Sequence, residues 1–501
     1  MNQIDSFIRD WSDKKTINGK SFDEIFQIGS VPLWWFYRRI FVEHVLPKPI
    51  NTFRYIRTKT KISLPKKIKY SISSKILGWF IYYNENAKIK YTAEKKALFI
   101  TYTNHILSDK KLFRIQNIID KINDNKKMQA LPIFVDPLSS TQYKRLSSYT
   151  TIYNYYDKTI SNKAKQKAVI LHKLWQNIDL RTRQNMLKLN SISLYPYLKF
   201  GFDIFFSKQF LYLLILYSEI AKKIIIDENV KKIVLTAQNG LFEKCILAAA
   251  KDLKISSVFI QHGIAHKMSN PDSIHSTKIA VFSEHYKKRM MKVGVKKDNI
   301  VVSGPVIFDE VIKYSGPKKR YKNNKLLIVT QPYVEDFTAG KRAYFEIIRK
   351  LLNDIKNIKN IKVIIKLHPR EKYKQNYESI LKKLNFKDYQ IQKDITRDEF
   401  YKLIKWCDAF INFGTTAAIE AMIIDRPIIT IDLHYGRTNI IIDSNATKNV
   451  SYKKDLQISI NQAIEQDRDY RIKREKLLKK LCQKVDGKAF ERVAKIIEDV
   501  E

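Results

Sequence analysis

The sequence predicts an α/β protein of two successive doubly wound domains, with a mainly helical N-terminal extension and C-terminal helices. Three observations carry that expectation. From about residue 96, short apolar strand-like runs alternate with helical stretches, the pattern of a parallel sheet with helical crossovers. The alternation breaks at the polar, turn-rich Ser315-Gly316-Pro317-Lys318-Lys319-Arg320 and then restarts. A chain of 501 residues also exceeds one ordinary hydrophobic core.

The expected order is an extension over 1–90, a first domain over 91–314, a second over 321–455 and helices over 456–501. In the extension, Trp34-Trp35-Phe36-Tyr37 precede Arg38-Arg39. Such a stretch suits a membrane surface or the acceptor side of a cleft. The reading placed ahead of these is an aromatic face packed on the next domain, with the arginines reaching to solvent. In the first domain, strands are expected at Ala97–Tyr102, Met128–Val135, Lys232–Thr236, Ser257–Ile260, Lys278–Phe282 and Asn299–Val302. Phe210–Ile225 and Leu241–Lys251 read as helices. In the second domain, strands are expected at Lys325–Val329, Val363–Lys366, Ala409–Ile411 and Pro427–Ile431, with helices between them.

Composition narrows the function classes. Hydrophobic residues at 45% and aromatics at 12% are ample for packed domains, and 13 Gly with 13 Pro leave few loose linkers. The three cysteines, Cys245, Cys407 and Cys482, are too few and too widely spaced for a disulfide framework or a zinc site, which fits a reducing cytoplasm. The start has neither a basic nor an apolar leader segment, and no apolar run approaches the roughly 20 residues of a membrane span. The expected location is therefore cytoplasmic, with peripheral attachment to the inner face of the cell membrane as an option. The net charge of +42 is spread along the chain. It marks a solvated lysine-rich surface or attraction to anionic lipid or glycan. Nucleic acid is not expected, since zinc-finger spacing, RNP-like strands and a confined basic stripe are all missing.

Two strand–turn–helix segments carry the chemistry. Asn412-Phe413-Gly414-Thr415-Thr416 leads into the helix Ala417 to Ile424. Helix-start amides and two hydroxyls favour an anion. Glu420 lies one turn further on, suited to accept from ribose hydroxyls. The residue three before it, Ala417, has no hydroxyl, so a capping box does not explain Glu420. Thr415 or Thr416 can still cap the helix. The second segment, Lys366-Leu367-His368-Pro369-Arg370, gathers cations at a strand end with proline fixing the corner. It suits charge balance on a departing nucleotide phosphate, or is simply a solvated turn. In the first domain, Gln261-His262-Gly263 ends a strand, with Lys267 beyond it. His262 could serve as general base or phosphate contact. Gln238, Gln261, Gly263 and Lys267 are candidate acceptor or cleft residues. Glu243 is the alternative base and Glu284 a further one; each is also a plain helix-start acid.

No metal is expected. His262 and His266 lack a companion Glu of the zinc-peptidase kind, and Asp467-Arg468-Asp469 sits in a charged helical tail. Neither a phosphate-binding P-loop nor a dinucleotide glycine fingerprint is present.

His262-Gly263 with Lys267, Gly304-Pro305 with Asp309, Lys366-Leu367-His368-Pro369, Gly414-Thr415-Thr416 through Glu420-Ala421, and Asp425-Arg426-Pro427-Ile428 occur in an order that resembles the bacterial capsule-polysaccharide-synthesis and CDP-glycerol glycerophosphotransferase-like proteins, with related polysialyl- and Kdo-transferases. The resemblance covers about residues 230–435. It implies a GT-B fold, two Rossmann-like domains facing a cleft. It also implies donor binding at His368, Pro369, Thr415 and Thr416, His262 at the reaction site, and a CMP- or CDP-type donor in preference to UDP. Gly-Thr-Thr with Glu420 departs from the aromatic-Ser-Ser and Asp of teichoic-acid polymerases and leans towards a sugar transferase. The expected function is a metal-independent glycosyltransferase that needs no cofactor and acts on a cell-surface or lipid-linked glycan. A nucleotide-sugar epimerase of the same fold, a glycerophosphotransferase and a non-catalytic glycan- or membrane-binding scaffold are the alternatives.

Overall fold

The computed structural model describes residues 7–8, 10–40, 95–106, 110–135, 150–238, 240–264, 276–316, 324–335, 339–356, 358–433, 440–451, 456–465 and 467–501. The first domain holds β1 (Lys96–Thr101), β2 (Gln129–Phe134), β3 (Val230–Leu235), β4 (Ser256–Ile260), β5 (Lys278–Val281) and β6 (Ile300–Val302). They form one parallel sheet in the order β6-β5-β4-β3-β1-β2. The second holds β7 (Lys325–Val329), β8 (Lys362–Lys366), β9 (Tyr389–Gln392), β10 (Ala409–Asn412), β11 (Ile428–Asp432) and β12 (Lys448–Ser451), parallel in the order β9-β8-β7-β10-β11-β12. Strand order reverses between β1 and β3 in one sheet and between β7 and β10 in the other. Crevices for ligands open at such reversals, outside the carboxyl ends of the strands.

The helices are α1 (Leu33–Ile40), α2 (Gln116–Asp124), α3 (Lys158–Gln176), α4 (Tyr195–Phe205), α5 (Lys208–Asp227), α6 (Leu241–Asp252) and α7 (Glu284–Lys292) in the first half. In the second come α8 (Lys341–Ile355), α9 (Lys374–Lys383), α10 (Arg397–Trp406), α11 (Ala417–Ile424), α12 (Leu456–Glu465), α13 (Asp467–Cys482) and α14 (Ala489–Asp499). Central strands are apolar because helices cover both faces. All six residues of β1 are buried, and its one charge, Lys96, is paired with Glu228 at 2.6 Å. β9 and β12 are the strands that the sequence reading lacks. Tyr389-Gln390-Ile391-Gln392 and Lys448-Asn449-Val450-Ser451 form the sheet edges, where one covered face is enough and the apolar run disappears.

The extension is not simply helical. Asn18 and Gly19, at φ of 48° and 76°, close a hairpin between Lys15–Ile17 and Lys20–Ser21, as an Asn-Gly pair does in a tight turn. Its aromatics correct the lipid-surface reading. Trp34, Trp35, Phe36 and Tyr37 are buried in one apolar cluster with α3–α6. Trp34 stacks on Phe202 at 5.9 Å, and Tyr37 donates to the Phe205 carbonyl. Lys244 of α6 donates to the carbonyls of Trp35 and Phe36. Residues 41–94, including the basic connector, lie outside the described residues.

The C-terminal helices divide between the domains. α12 packs on α8 and β11, and α13 on α11 and α7. α14 crosses back to cover the first sheet beside α2, burying Ala489, Val493, Ala494 and Ile497. Asp309 fixes its start, accepting from the backbone N–H of Ala489 at 3.1 Å and Phe490 at 2.8 Å. Arg492 donates to the Ser303 carbonyl and forms a two-point pair with Asp486. Gly304, at φ +82°, makes room: a Cβ there would lie 2.8 Å from the Lys484 carbonyl oxygen. The Gly304 and Asp309 landmarks thus seat this crossover. One apolar cluster joins Ile279, Phe282, Tyr286 and Phe308 of the first domain to Tyr401, Phe410 and Ile419 of the second. Among the described residues, no helix is long and apolar enough to cross a membrane.

Candidate functional site

The second-domain wall is built around the end of β7. Thr330 N–H donates to the Lys366 carbonyl at 3.1 Å, while Gln331 and Tyr333 side chains donate to the Phe413 carbonyl. The end of β7 therefore bridges the two segments singled out from sequence, on β8 and β10. Asn412 shapes one of them. Its buried Oδ1 accepts from the N–H of Gly414 at 2.7 Å and Thr415 at 3.2 Å. Gly414 sits at φ +77°, the left-handed geometry that this turn needs. Thr415 Oγ1 accepts from Ala417 N–H and closes the turn before α11, whose N-cap residue, Thr416, makes no side-chain cap hydrogen bond. Thr415 and Thr416 carbonyls take the Ala418 and Ile419 amides. The amides expected to meet an anion are thus partly committed within the turn. Thr416 is exposed, and its hydroxyl has no hydrogen bond among the described residues.

The other segment is held by Glu371, which no local pattern announced. Its buried carboxylate accepts from His368 N–H at 2.7 Å, Tyr377 hydroxyl at 2.7 Å and the Thr330 hydroxyl. Lys366 is buried and donates to the Leu367 carbonyl at 2.7 Å, and burial draws its amine down to about 8. His368 is half-buried, with Nδ1 accepting from Arg370 N–H at 3.1 Å; Pro369 and Arg370 are exposed.

Glu420 is buried one turn into α11. Its Oε1 accepts from Arg397 at 3.0 Å and from Tyr401 hydroxyl at 3.4 Å. The carboxylate read as a ribose partner is therefore paired inside the protein. Burial outweighs the Arg397 pair and holds the Glu420 carboxyl above the usual range. Arg397 opens α10, where Thr396 and Glu399 form a capping box. A cation at a helix start opposes the helix dipole, so Glu420, rather than the helix, holds Arg397 there. Arg397 also donates to the Ile307 carbonyl at 2.8 Å and stacks on Phe113 at 4.8 Å, both in the first domain.

The first-domain wall gathers at the ends of β1, β3 and β4. His262 is exposed beyond β4, with a ring hydrogen bond to the Thr236 backbone. Crowding by protein, then Arg114, depress its pKa. His105, beyond β1, contacts Thr101 Oγ1 at 3.3 Å. Burial, then Arg114 and His262, bring its pKa to about 4. Both imidazoles are thus neutral near pH 7 and able to accept a proton. Gln261 is buried and joins β4 to β5, with Nε2 donating to the Gly263 carbonyl and Oε1 accepting from Phe282 N–H. Gln238 is likewise buried and donates to Ser276 Oγ at 2.6 Å. Both amides donate within the protein, and Gln238 Oε1 is buried without a hydrogen-bond partner among the described residues. Glu243 is buried at the third residue of α6, and burial raises its pKa to about 7. A methyl group on Gly240 would lie 2.0 Å from Glu243 Oε2, so the carboxyl fills the space that this glycine leaves. Lys267 and His266 lie outside the described residues. Among the described residues, no group of three or more His, Cys, Asp or Glu could hold a metal ion.

The walls meet in a chain of contacts. The Thr415–Thr416 turn opens α11, α11 carries Glu420, Glu420 holds Arg397, Arg397 lies within electrostatic reach of Arg114, and Arg114 within reach of His105 and His262.

Two Rossmann-like domains set about such a cleft are the GT-B arrangement. UDP-GlcNAc 2-epimerase from Neisseria meningitidis, bound to UDP-GlcNAc, is similar over 81% of this chain and 100% of its own at 11% identity, with a TM-score of 0.51. That likeness carries the fold. UDP-GlcNAc 2-epimerase from Methanocaldococcus jannaschii, in complex with UDP-GlcNAc and UDP, has 15% identity and a TM-score of 0.47 over 81% of this chain and 99% of its own. MurG from Acinetobacter baumannii has 12% identity and a TM-score of 0.43 over 81% and 99%. A family model described as UDP-N-acetylglucosamine 2-epimerase matches residues 273–498. It takes in the whole second domain and leaves the extension and most of the first domain outside. No curated protein matches the chain in sequence. The glycosyltransferase expectation, placed first from sequence, is thus supported only as a fold, and its epimerase alternative moves ahead. The capsule and CDP-glycerol transferase family is not established, and the UDP-GlcNAc bound by the Neisseria enzyme gives the cytidine preference no support.

Proposed function

We propose that the chain is an enzyme acting on a UDP-sugar, and that its reaction is inversion at C2 of a UDP-N-acetylhexosamine. The observation that carries this reading is the epimerase family match over residues 273–498. The C2 proton of such a sugar is not acidified by a neighbouring carbonyl. Its removal is eased when UDP leaves C1, giving a C1–C2 alkene; UDP then adds back to C1 as a proton reaches C2 from the opposite face. The C1–O bond broken first is also the bond that a glycosyltransferase breaks. Both reactions therefore ask for stabilisation of a departing diphosphate and for a base. His368 and Thr416 are the side chains proposed for the diphosphate side, with Pro369, Gly414 and Thr415 shaping their loops. His262 or Glu243 is the proposed base: burial brings the Glu243 carboxyl to about 7, and crowding by protein lowers the His262 pKa and keeps its ring neutral.

A glycosyltransferase remains the second reading. His262 favours it: a neutral, exposed imidazole at a strand end suits an acceptor hydroxyl arriving from outside. One experiment separates the two. UDP-GlcNAc alone is incubated with the full chain in D2O and followed by NMR. The epimerase reading expects the 2-epimer, with deuterium at C2. No change with donor alone, but sugar transfer once a glycan or lipid-linked acceptor is added, would replace it with the transferase. His368→Ala and Thr416→Ala should each lower turnover by roughly 10²–10³-fold; full activity in both would remove the donor-loop assignment.

A further inference from the structure

A second group of cations, away from the motif loops, faces the same interdomain space. Phe113, Arg114, Glu310, Tyr314, Arg397 and Tyr401 line a cavity of about 190 Å³ between the domains. Arg114 and Arg397 both stack on Phe113, at 4.5 Å and 4.8 Å. Arg397 has its carboxylates, Glu420 at 3.0 Å and Glu310 at 3.7 Å. Arg114 has none among the described residues, and its Nε is buried without a hydrogen-bond partner. Arg114 is half-buried, and a guanidinium partly withdrawn from water without an anion is costly. The backbone adds to that cost, since Arg114 sits at φ +74°, a conformation that side chains other than Asn, Asp and Gly rarely adopt. Sterics and electrostatics both oppose an arginine at this point, unless something outside the chain completes it.

We propose that Arg114, with His105 and His262 beside it, is an oxyanion site for a phosphate group on the first-domain wall of the cleft. The arginine offers the planar fork that phosphate accepts at two points. His105, with Nδ1 facing Thr101 Oγ1, supplies its other ring nitrogen as an N–H donor, and Arg397 adds positive field from the opposite domain. The phosphate's identity rests on the nucleotide-sugar reading; the anion site itself does not. Two sources fit the same chemistry, the diphosphate of the donor or a phosphate carried by a second substrate.

The test is calorimetry of inorganic pyrophosphate with the full chain and with the Arg114→Gly and Arg114→Asn variants. Gly and Asn both accept the left-handed backbone, so each removes the charge while easing the strain. The expected result is pyrophosphate affinity weaker by about 10- to 100-fold in both Arg114 variants, with thermal stability kept or raised. Repeating the titration with saturating UDP identifies the source: competition marks the donor diphosphate, and persistence marks a second substrate's phosphate. Equal affinity in wild type and both folded Arg114 variants overturns the site, as does a wild-type chain that takes up no pyrophosphate. Inactivity in the D2O experiment would leave this result untouched, so the two proposals fail separately.

Discussion

At the scale of single residues, Glu243 makes the most direct pH claim. Its folded-state pKa of about 7 lies above the ordinary carboxylate value of 4.5. Between those values the unfolded chain is ionised while the folded chain keeps its proton. The stability that the proton confers is complete below 4.5 and is lost as pH rises through 7, a span on the order of 3 kcal/mol. Glu243→Gln has no proton to lose. Urea unfolding at pH 5 and pH 8 should therefore show the variant gaining on wild type by roughly that amount at the higher pH. An unchanged difference would show that Glu243 is not buried in a titrating state.

What sequence disclosed about the site also divides residue by residue. Gly414, Thr415, Thr416 and His368 were legible because turn chemistry is local: a glycine, two hydroxyls and a proline corner stand side by side. Glu420 was legible as present but not as paired, since its partner Arg397 lies 23 residues away. A hint existed in Thr396-Arg397-Asp398-Glu399, a capping box with a wrong-signed charge at its first helical position. Arg114 and His105 had no such signal. They lie in irregular chain after β1, and only the fold of both domains shows what they face.

At the scale of elements, the strands that escaped notice were edge strands, where half the apolar pattern is dispensable. The larger difference is α14. Its charged surface read as a tail, whereas its apolar stripe of Ala489, Val493, Ala494 and Ile497 closes the first sheet. The cap that Asp309 provides fixes where this helix begins. Asp309→Ala removes two hydrogen bonds at the helix start and should cost about 1–2 kcal/mol, measured as a shift of the denaturant midpoint. A midpoint unchanged from wild type would mean that α14 is held by packing alone.

At the scale of the whole molecule, fold class was the easiest property to read, because β-α alternation repeats along the chain and restarts after Ser315. The degree of coupling between the halves was not readable. One apolar cluster runs from Phe282 and Phe308 to Tyr401 and Phe410, and α13 packs on α7 and α11, which belong to different halves. The two sheets should therefore melt together. Calorimetry of the ligand-free chain is expected to give one transition, with calorimetric and van't Hoff enthalpies equal. Two resolved transitions would show that the shared cluster is too weak to link them.

The return of α14 bears on how the chain can be made. Arg492 reaches a carbonyl 189 residues earlier in the chain. A ribosome adding about 5–20 residues per second therefore finishes the strands of the first sheet well before it supplies the helix that covers one face of them. For that interval Ala97, Phe99, Val258 and Ala280 wait on a face that α2 covers only in part. Completion of the first domain is postponed until after the second sheet has formed its strands. Any chaperone that attends this protein would be needed most at the half that is translated first.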